Sequence, residues 1–137
     1  MRTELDIEQK EYTMSEKNYV YTWIRTDLPI EQQIVQAAHS ALEAGRDFGK
    51  PARDSHLILL SAKSQAELIK ISQRLTTHGI RHHMFHEPDY DRGYTSITTE
   101  PLTSDEDRAI FRRYSMYQYR AERAFSARDE RHETQGA

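Results

Sequence analysis

Two short apolar runs, each followed within a few residues by an apolar stripe of helical period, constrain this chain more than any other feature. The first run, Tyr19-Val20-Tyr21-Thr22-Trp23-Ile24-Arg25, is dense in aromatic and β-branched residues. Its near-continuous apolarity predicts a central strand covered on both faces. Asp27 and Pro29 then read as helix-start punctuation, Asp as a cap and Pro in the first turn. From there Ile30, Ile34, Ala37, Ala38, Ala41 and Leu42 recur at the period of an amphipathic helix. The small side chains Ala37, Ala38, Ala41 and Ala44 predict that this face lies close on a sheet. Gly45 and Gly49 offer stops, and 46–55 reads as a polar loop or frayed turn.

The second run, His56-Leu57-Ile58-Leu59-Leu60-Ser61, leads into Ser64-Gln65-Ala66-Glu67. That S-x-x-E pattern is a capping box, in which two side chains satisfy otherwise orphaned amides at a helix start. Leu68, Ile71 and Leu75 continue at helical spacing, and His78-Gly79 ends the helix. Residues 80–87 form a third strand with Ile80, His82, Met84 and His86 on one face. A turn over 88–93 precedes a fourth strand, 94–99. Thr103 and Ser104, with Glu106 and Asp107 behind them, cap a short final helix through Ala109, Ile110 and Phe111.

The order is β-α-β-α-β-β-α. A βαβ connection calls for parallel strands, and the short turn between the last two strands for an antiparallel hairpin. The expected fold is therefore α/β: a mixed four-stranded sheet flanked by helices. One domain over 18–117 follows, with a flexible N-terminal extension over 1–17 and a charged C-terminal tail over 118–137. Met14, just ahead of the first strand, is an alternative start, which would make 1–13 an upstream read-through.

Composition excludes several classes of chemistry. Cysteine is absent, so there is no disulfide framework, thiol nucleophile or Cys-ligated metal. That fits a reducing, cytoplasmic setting. No apolar run approaches the length of a membrane span, and the N-terminus has no apolar signal region. With 19 Lys and Arg against 22 Asp and Glu, net charge is -3, so a globally basic nucleic-acid binder is not expected. No Walker loop, G-x-G-x-x-G, H-E-x-x-H or G-x-S-x-G occurs.

Four groups of residues are candidates for function. His82, His83 and His86 look like a metal set, but on a strand His82 and His86 stand roughly 13 Å apart and His83 points the other way. No metal or cofactor is expected. Arg25-x-Asp27 with Gln36-x-x-His39 lies where the first strand gives way to its helix, the edge at which α/β proteins place their sites. Gln36 and His39 are neighbours on one helix surface. They suit proton transfer or phosphate contact, and equally a helix start with His39 packed on the sheet. The turn from Glu87 through Asp89, Asp91 and Gly93 to Thr95 gathers carboxylates and a hydroxyl. It reads equally as a solvated acidic turn. Arg112 and Arg113, interleaved with Tyr114, Tyr117 and Tyr119, can hold phosphates and stack on bases, or serve packing and solubility.

The second and third groups together resemble the peptidyl-tRNA hydrolase family of the archaeal and eukaryotic type. Its strand–R-x-D-L–helix–Q-x-x-H segment is similar to Arg25-Thr26-Asp27-Leu28 followed by Gln36-Ala37-Ala38-His39. Its D-x-G-x-T-x-I segment is similar to Asp91-Arg92-Gly93-Tyr94-Thr95-Ser96-Ile97. The match runs in order over roughly residues 18–114 and is nearest a divergent bacterial and phage-type branch. That branch has a strand exit like Phe85-His86-Glu87-Pro88-Asp89 and an ending like Thr98-Thr99-Glu100-Pro101.

The resemblance implies metal-independent hydrolysis of the ester joining peptide to tRNA, in a fold that is often dimeric. Peptidyl-tRNA or tRNA would be the partner, with a homodimer as the assembled state. The implied catalytic positions are His39, Asp91 and Thr95. Asp91 would position or activate water, Thr95 would donate to the carbonyl oxygen or the water, and His39 would support the site or contact the tRNA end. Arg25, Asp27, Gln32, Gln36, Arg112 and Arg113 would bind substrate. Two departures stand out. The family's Lys early in its first helix is replaced by Gln32 or Gln33. The segment after Ile97 is compressed, so Asp89 competes with Asp91 for the carboxylate role. The missing ammonium also admits a second reading, a tRNA- or protein-binding module that keeps the fold and lacks turnover.

Overall fold

A computed structural model describes residues 17–49 and 53–118. The elements are β1 (Tyr19–Arg25), α1 (Ile30–Phe48), β2 (His56–Ala62), α2 (Gln65–Thr77), β3 (His82–Glu87), β4 (Gly93–Thr99) and α3 (Asp105–Ala109). A 3-10 turn, Asp89–Asp91, links β3 to β4, and another, Ile110–Arg113, follows α3. The sheet order is β2-β1-β4-β3. β1 pairs parallel with β2, and β4 pairs antiparallel with both β1 and β3. This is the α/β mixed sheet that the order of runs implies, with β1 inside the sheet as its apolarity requires. Residues 1–16 of the expected N-terminal extension and 119–137 of the charged tail lie outside the described residues. No helix among the described residues is long and apolar enough to cross a membrane.

One face of the sheet carries the apolar core. Tyr21, Trp23, Leu60, Ala62 and Ile97 meet Leu68, Ile71 and Leu75 of α2 and Phe111 beyond α3. Tyr21 stacks on Phe111 with ring centroids 3.8 Å apart, and Tyr114 meets Trp23 edge-on at 5.3 Å. α2 begins as its sequence signal implies: Ser64 Oγ accepts from Glu67 N. The Glu67 carboxylate bonds the Lys63 amide, one residue ahead of the cap. It ends on Gly79 at φ +70, with Ile80 N donating to Leu75 O and Gly79 N to Thr76 O. That pair of bonds is a Schellman stop, which favours glycine in the left-handed position. The free edge of β2 is covered by the chain after α3: Ser61 N donates to Ser115 O, and Tyr117 N to Leu59 O.

The other face is polar, and here α1 departs from its sequence pattern. The side chains α1 buries are Gln33, Gln36, Ser40 and Ala44, not the Ile30/Ile34/Leu42 stripe. The reason lies in β4, which presents hydroxyls to the helix. Ser96 Oγ donates to Gln36 O at 2.7 Å. Ser40 Oγ and Thr22 Oγ1 each lie 2.8 Å from Thr98 Oγ1. Buried hydroxyls cost free energy unless paired, so the helix turns its polar side inward to pair them. Thr98→Val should therefore destabilise the fold by about 2 kcal/mol, since it strips two buried hydroxyls of a shared partner. Chemical denaturation measures this.

Two boundaries also differ. α1 runs through Gly45 to Phe48 and ends on Gly49, at φ +78, so the polar loop is shorter than expected. β3 begins at His82 rather than Ile80, which instead joins the core.

Candidate functional site

The bend from β3 into β4 meets the first half of α1 through a fault in the strand register. Phe85 pairs with Ser96, but His86 pairs with Tyr94, so Thr95 is a β-bulge. A bulge re-aims the extra residue. Thr95 and Ser96, though consecutive, both reach Gln36: Thr95 Oγ1 donates to Gln36 Oε1 at 2.9 Å, and Ser96 Oγ to its backbone oxygen. The Gln36 amide, held by Thr95, donates through Nε2 to Glu87 Oε2 at 2.9 Å. Asp89 N donates to the other Glu87 oxygen at 3.1 Å. One chain of hydrogen bonds thus runs from a buried hydroxyl through a buried amide to a carboxylate at the surface.

The electrostatics favour a charged Glu87. The Gln36 hydrogen bond holds its carboxyl below the ordinary glutamate range, the Asp89 amide adds to this, and the nearby His39 and Arg92 charges contribute further. His39 is exposed, and its ring stacks on Phe85 with centroids 4.7 Å apart and planes 19° from parallel. Phe85 and Glu87 are alternate residues of β3 and share the α1 face. An imidazole and a carboxylate therefore stand side by side above a buried amide.

The other expected site residues are placed variously. Thr95 and Gln36 are fully buried, so neither meets a solvent-borne ligand directly. Asp91 lies in the exposed 3-10 turn, and its side chain has no hydrogen-bond or ion-pair partner among the described residues. Asp89 serves Glu87 through its backbone. Tyr90 and Asp91 are both left-handed, at φ 58 and 53.

Asp27 does not cap α1, whose N-cap is Pro29 without a side-chain bond. Instead Arg25 grips both oxygens of Asp27 at 2.9 Å. The same guanidinium donates to the backbone oxygens of Arg92 and Tyr94. Arg25 thus clamps the bend to the end of β1. Gln33 is also spent inside the fold, with Nε2 on Leu28 O at 2.7 Å and Oε1 accepting from Tyr117 Oη at 2.8 Å. Gln32 is half-exposed in the first turn of α1. Arg112 and Arg113 are exposed and follow Phe111 on the opposite side of the sheet, away from this site.

The histidines go to separate partners: His82 to Ser72, His83 to Asp47, and His86 edge-on to Tyr94. Among the described residues no group of three or more His, Asp or Glu side chains could hold a metal ion. Glu87 stands among the acidic-turn candidates of the sequence, but the carboxylate role was expected of Asp91 or Asp89. The signal for Glu87 was the period of two from His83 through Phe85, which puts 87 on the helix-covered face.

No family model matches the chain, and no curated protein matches it. Among solved structures it is similar to a protein of unknown function from Agrobacterium tumefaciens strain C58. The two share 14% identity at a TM-score of 0.57, over 75% of this chain and 99% of that one. That likeness shows the fold alone.

Proposed function

We propose that this chain hydrolyses the ester between peptide and tRNA at the surface formed by His39 and Glu87. The observation that carries the reading is the Thr95–Gln36–Glu87 hydrogen-bond chain ending beside His39. It brings together segments that the sequence resemblance singles out independently. A carboxylate held ionised is a weak base, so Glu87 orients the water, and the proton falls to the His39 imidazole beside it. Water attacks the ester carbonyl carbon and gives a proton to His39. The bond from that carbon to the ribose oxygen breaks, the oxygen takes the proton, and peptide acid and free tRNA leave. Thr95 and Gln36 act as positioning residues. Asp91 and Asp89 sit on the turn beside the site, where Asp91 is open to water or to the tRNA end.

Gln32 favours a second reading, binding without turnover, because a neutral amide stands where the family resemblance calls for an ammonium. One substitution separates the two. Gln32→Lys should raise the hydrolysis rate roughly tenfold by supplying charge to the developing oxyanion. Single-turnover release of peptide from an N-acylated aminoacyl-tRNA measures it. Binding with no release by either protein would favour the second reading.

A further inference from the structure

We infer that Tyr119 and the residues directly after it continue along the free edge of β2 and cover an apolar trough between β2 and α1. Ile58, Leu60 and Ala62 of β2 face the core, so Leu57 and Leu59 face the side on which α1 lies. α1 sits over β3, β4 and β1. His39 and Asp47 mark its flank toward β3, where they meet Phe85 and His83. With Gln33, Gln36, Ser40 and Ala44 turned to the sheet, helical spacing puts Ile34, Ala37 and Ala41 on the opposite flank, toward β2. Between that flank and β2 lies open apolar surface: Leu57 is 72% exposed and Ile34 67% exposed.

The end of the described chain says what covers it. Met116 bridges Leu60 in antiparallel register, with Ser61 N donating to Ser115 O and Tyr117 N to Leu59 O. The same register, carried two residues past Tyr117, sets Tyr119 opposite Leu57. Alternation sends Tyr119 to the same face as Tyr117, whose Oη already donates to Gln33 Oε1 at 2.8 Å. It also points the backbone groups of Leu57 to the edge, as it does those of Leu59 and Ser61. Such an edge is a template for more strand. α1 and this terminal strand both run antiparallel to β2, so they advance together. Two strand residues cover about 7 Å, the rise of roughly four to five helical residues. Tyr119 therefore comes abreast of Ala37 and Ala41, whose small side chains leave room for a ring. A separate partner would have to compete with a segment tethered two residues away, at high effective concentration.

The chain contains no cysteine, so an introduced pair reads the register directly. In the full chain, Leu57→Cys with Tyr119→Cys should close an intramolecular disulfide under mild oxidation by oxidised glutathione. Directly opposed residues of this kind stand roughly 5.5 Å apart at Cα, within disulfide span. Closure should be at least several-fold faster than for Leu57→Cys with Gln118→Cys or with Arg120→Cys, positions that alternation turns to the other face. Leu57→Ala and Tyr119→Ala should each lower the melting temperature by about 3 °C, and the double variant by less than the two together. Neither readout uses substrate, so the outcome stands apart from the hydrolase reading. Equal closure rates at 118, 119 and 120 overturn the proposal. So does a disulfide that joins two copies, or additive losses of melting temperature.

Discussion

Replacing Glu87 with glutamine should lower peptide release from peptidyl-tRNA by about 100-fold, the scale expected when a charged group that orients the reacting partners is lost. The substitution keeps the shape of the side chain and an oxygen for the Gln36 amide, and removes the charge beside His39. The fold should persist, because the core lies on the other face of the sheet. The pH profile adds a second test. The Glu87 carboxyl is held below the ordinary glutamate range by the Gln36 and Asp89 hydrogen bonds. Its charge, and the contribution to activity that depends on it, is therefore kept until pH falls below the ordinary glutamate range. In Glu87→Gln the deepest acidic part of the profile should disappear. Thr95→Val tests the positioning role behind it. It leaves Gln36 Oε1 without a donor in a buried site, which costs about 1–3 kcal/mol. It should lower the rate as well, and Thr95→Ser should recover both.

Gly93→Ala should destabilise the protein by about 2–3 kcal/mol, combining a left-handed backbone with a lost hydrogen bond. Gly93 opens β4 at φ +67, a conformation L side chains rarely adopt. An added Cβ would also run into the Gln65 carboxamide, whose oxygen accepts from Tyr94 N at 2.7 Å. Moving that carboxamide strips the Tyr94 amide of its partner. For a domain near this size the melting temperature should fall by roughly 10 °C. Gln65→Ala in the same chain removes the collision but not the backbone strain. The double variant should therefore cost less than the sum of the single changes, which thermal denaturation of the three proteins would show. Because Gly93 pairs with Glu87 across the hairpin, the same change should also reduce catalysis.

The strand runs made the element order readable, because β-branched and aromatic clusters between capped helices leave few other folds open. The Ser64 cap and the Gly79 stop were readable for the same local reason: each side chain acts within its own turn. The rotation of α1 was not readable. An apolar stripe ordinarily points inward, and only the hydroxyls of Thr22 on β1 and of Ser96 and Thr98 on β4, the last two 60 and 58 residues from their helix partners, reverse it. Thr95 shows the same limit. Its alternation with Ile97 and Thr99 would put it on the apolar face, and only the register shift against Phe85 and His86 turns it to Gln36. Asp27 does not act as the cap its position suggests, because Arg25 is equally local and carries the stronger, bidentate attraction.

The most direct test is metal-free release of an N-acylated amino acid from its tRNA by the full chain, run beside Glu87→Gln and His39→Ala. Release above the uncatalysed rate by the unmodified chain, lost in both variants while they stay folded, is the predicted result. No release by the unmodified chain, or equal release by all three, would contradict a hydrolytic site at the junction of α1 with the β3–β4 bend.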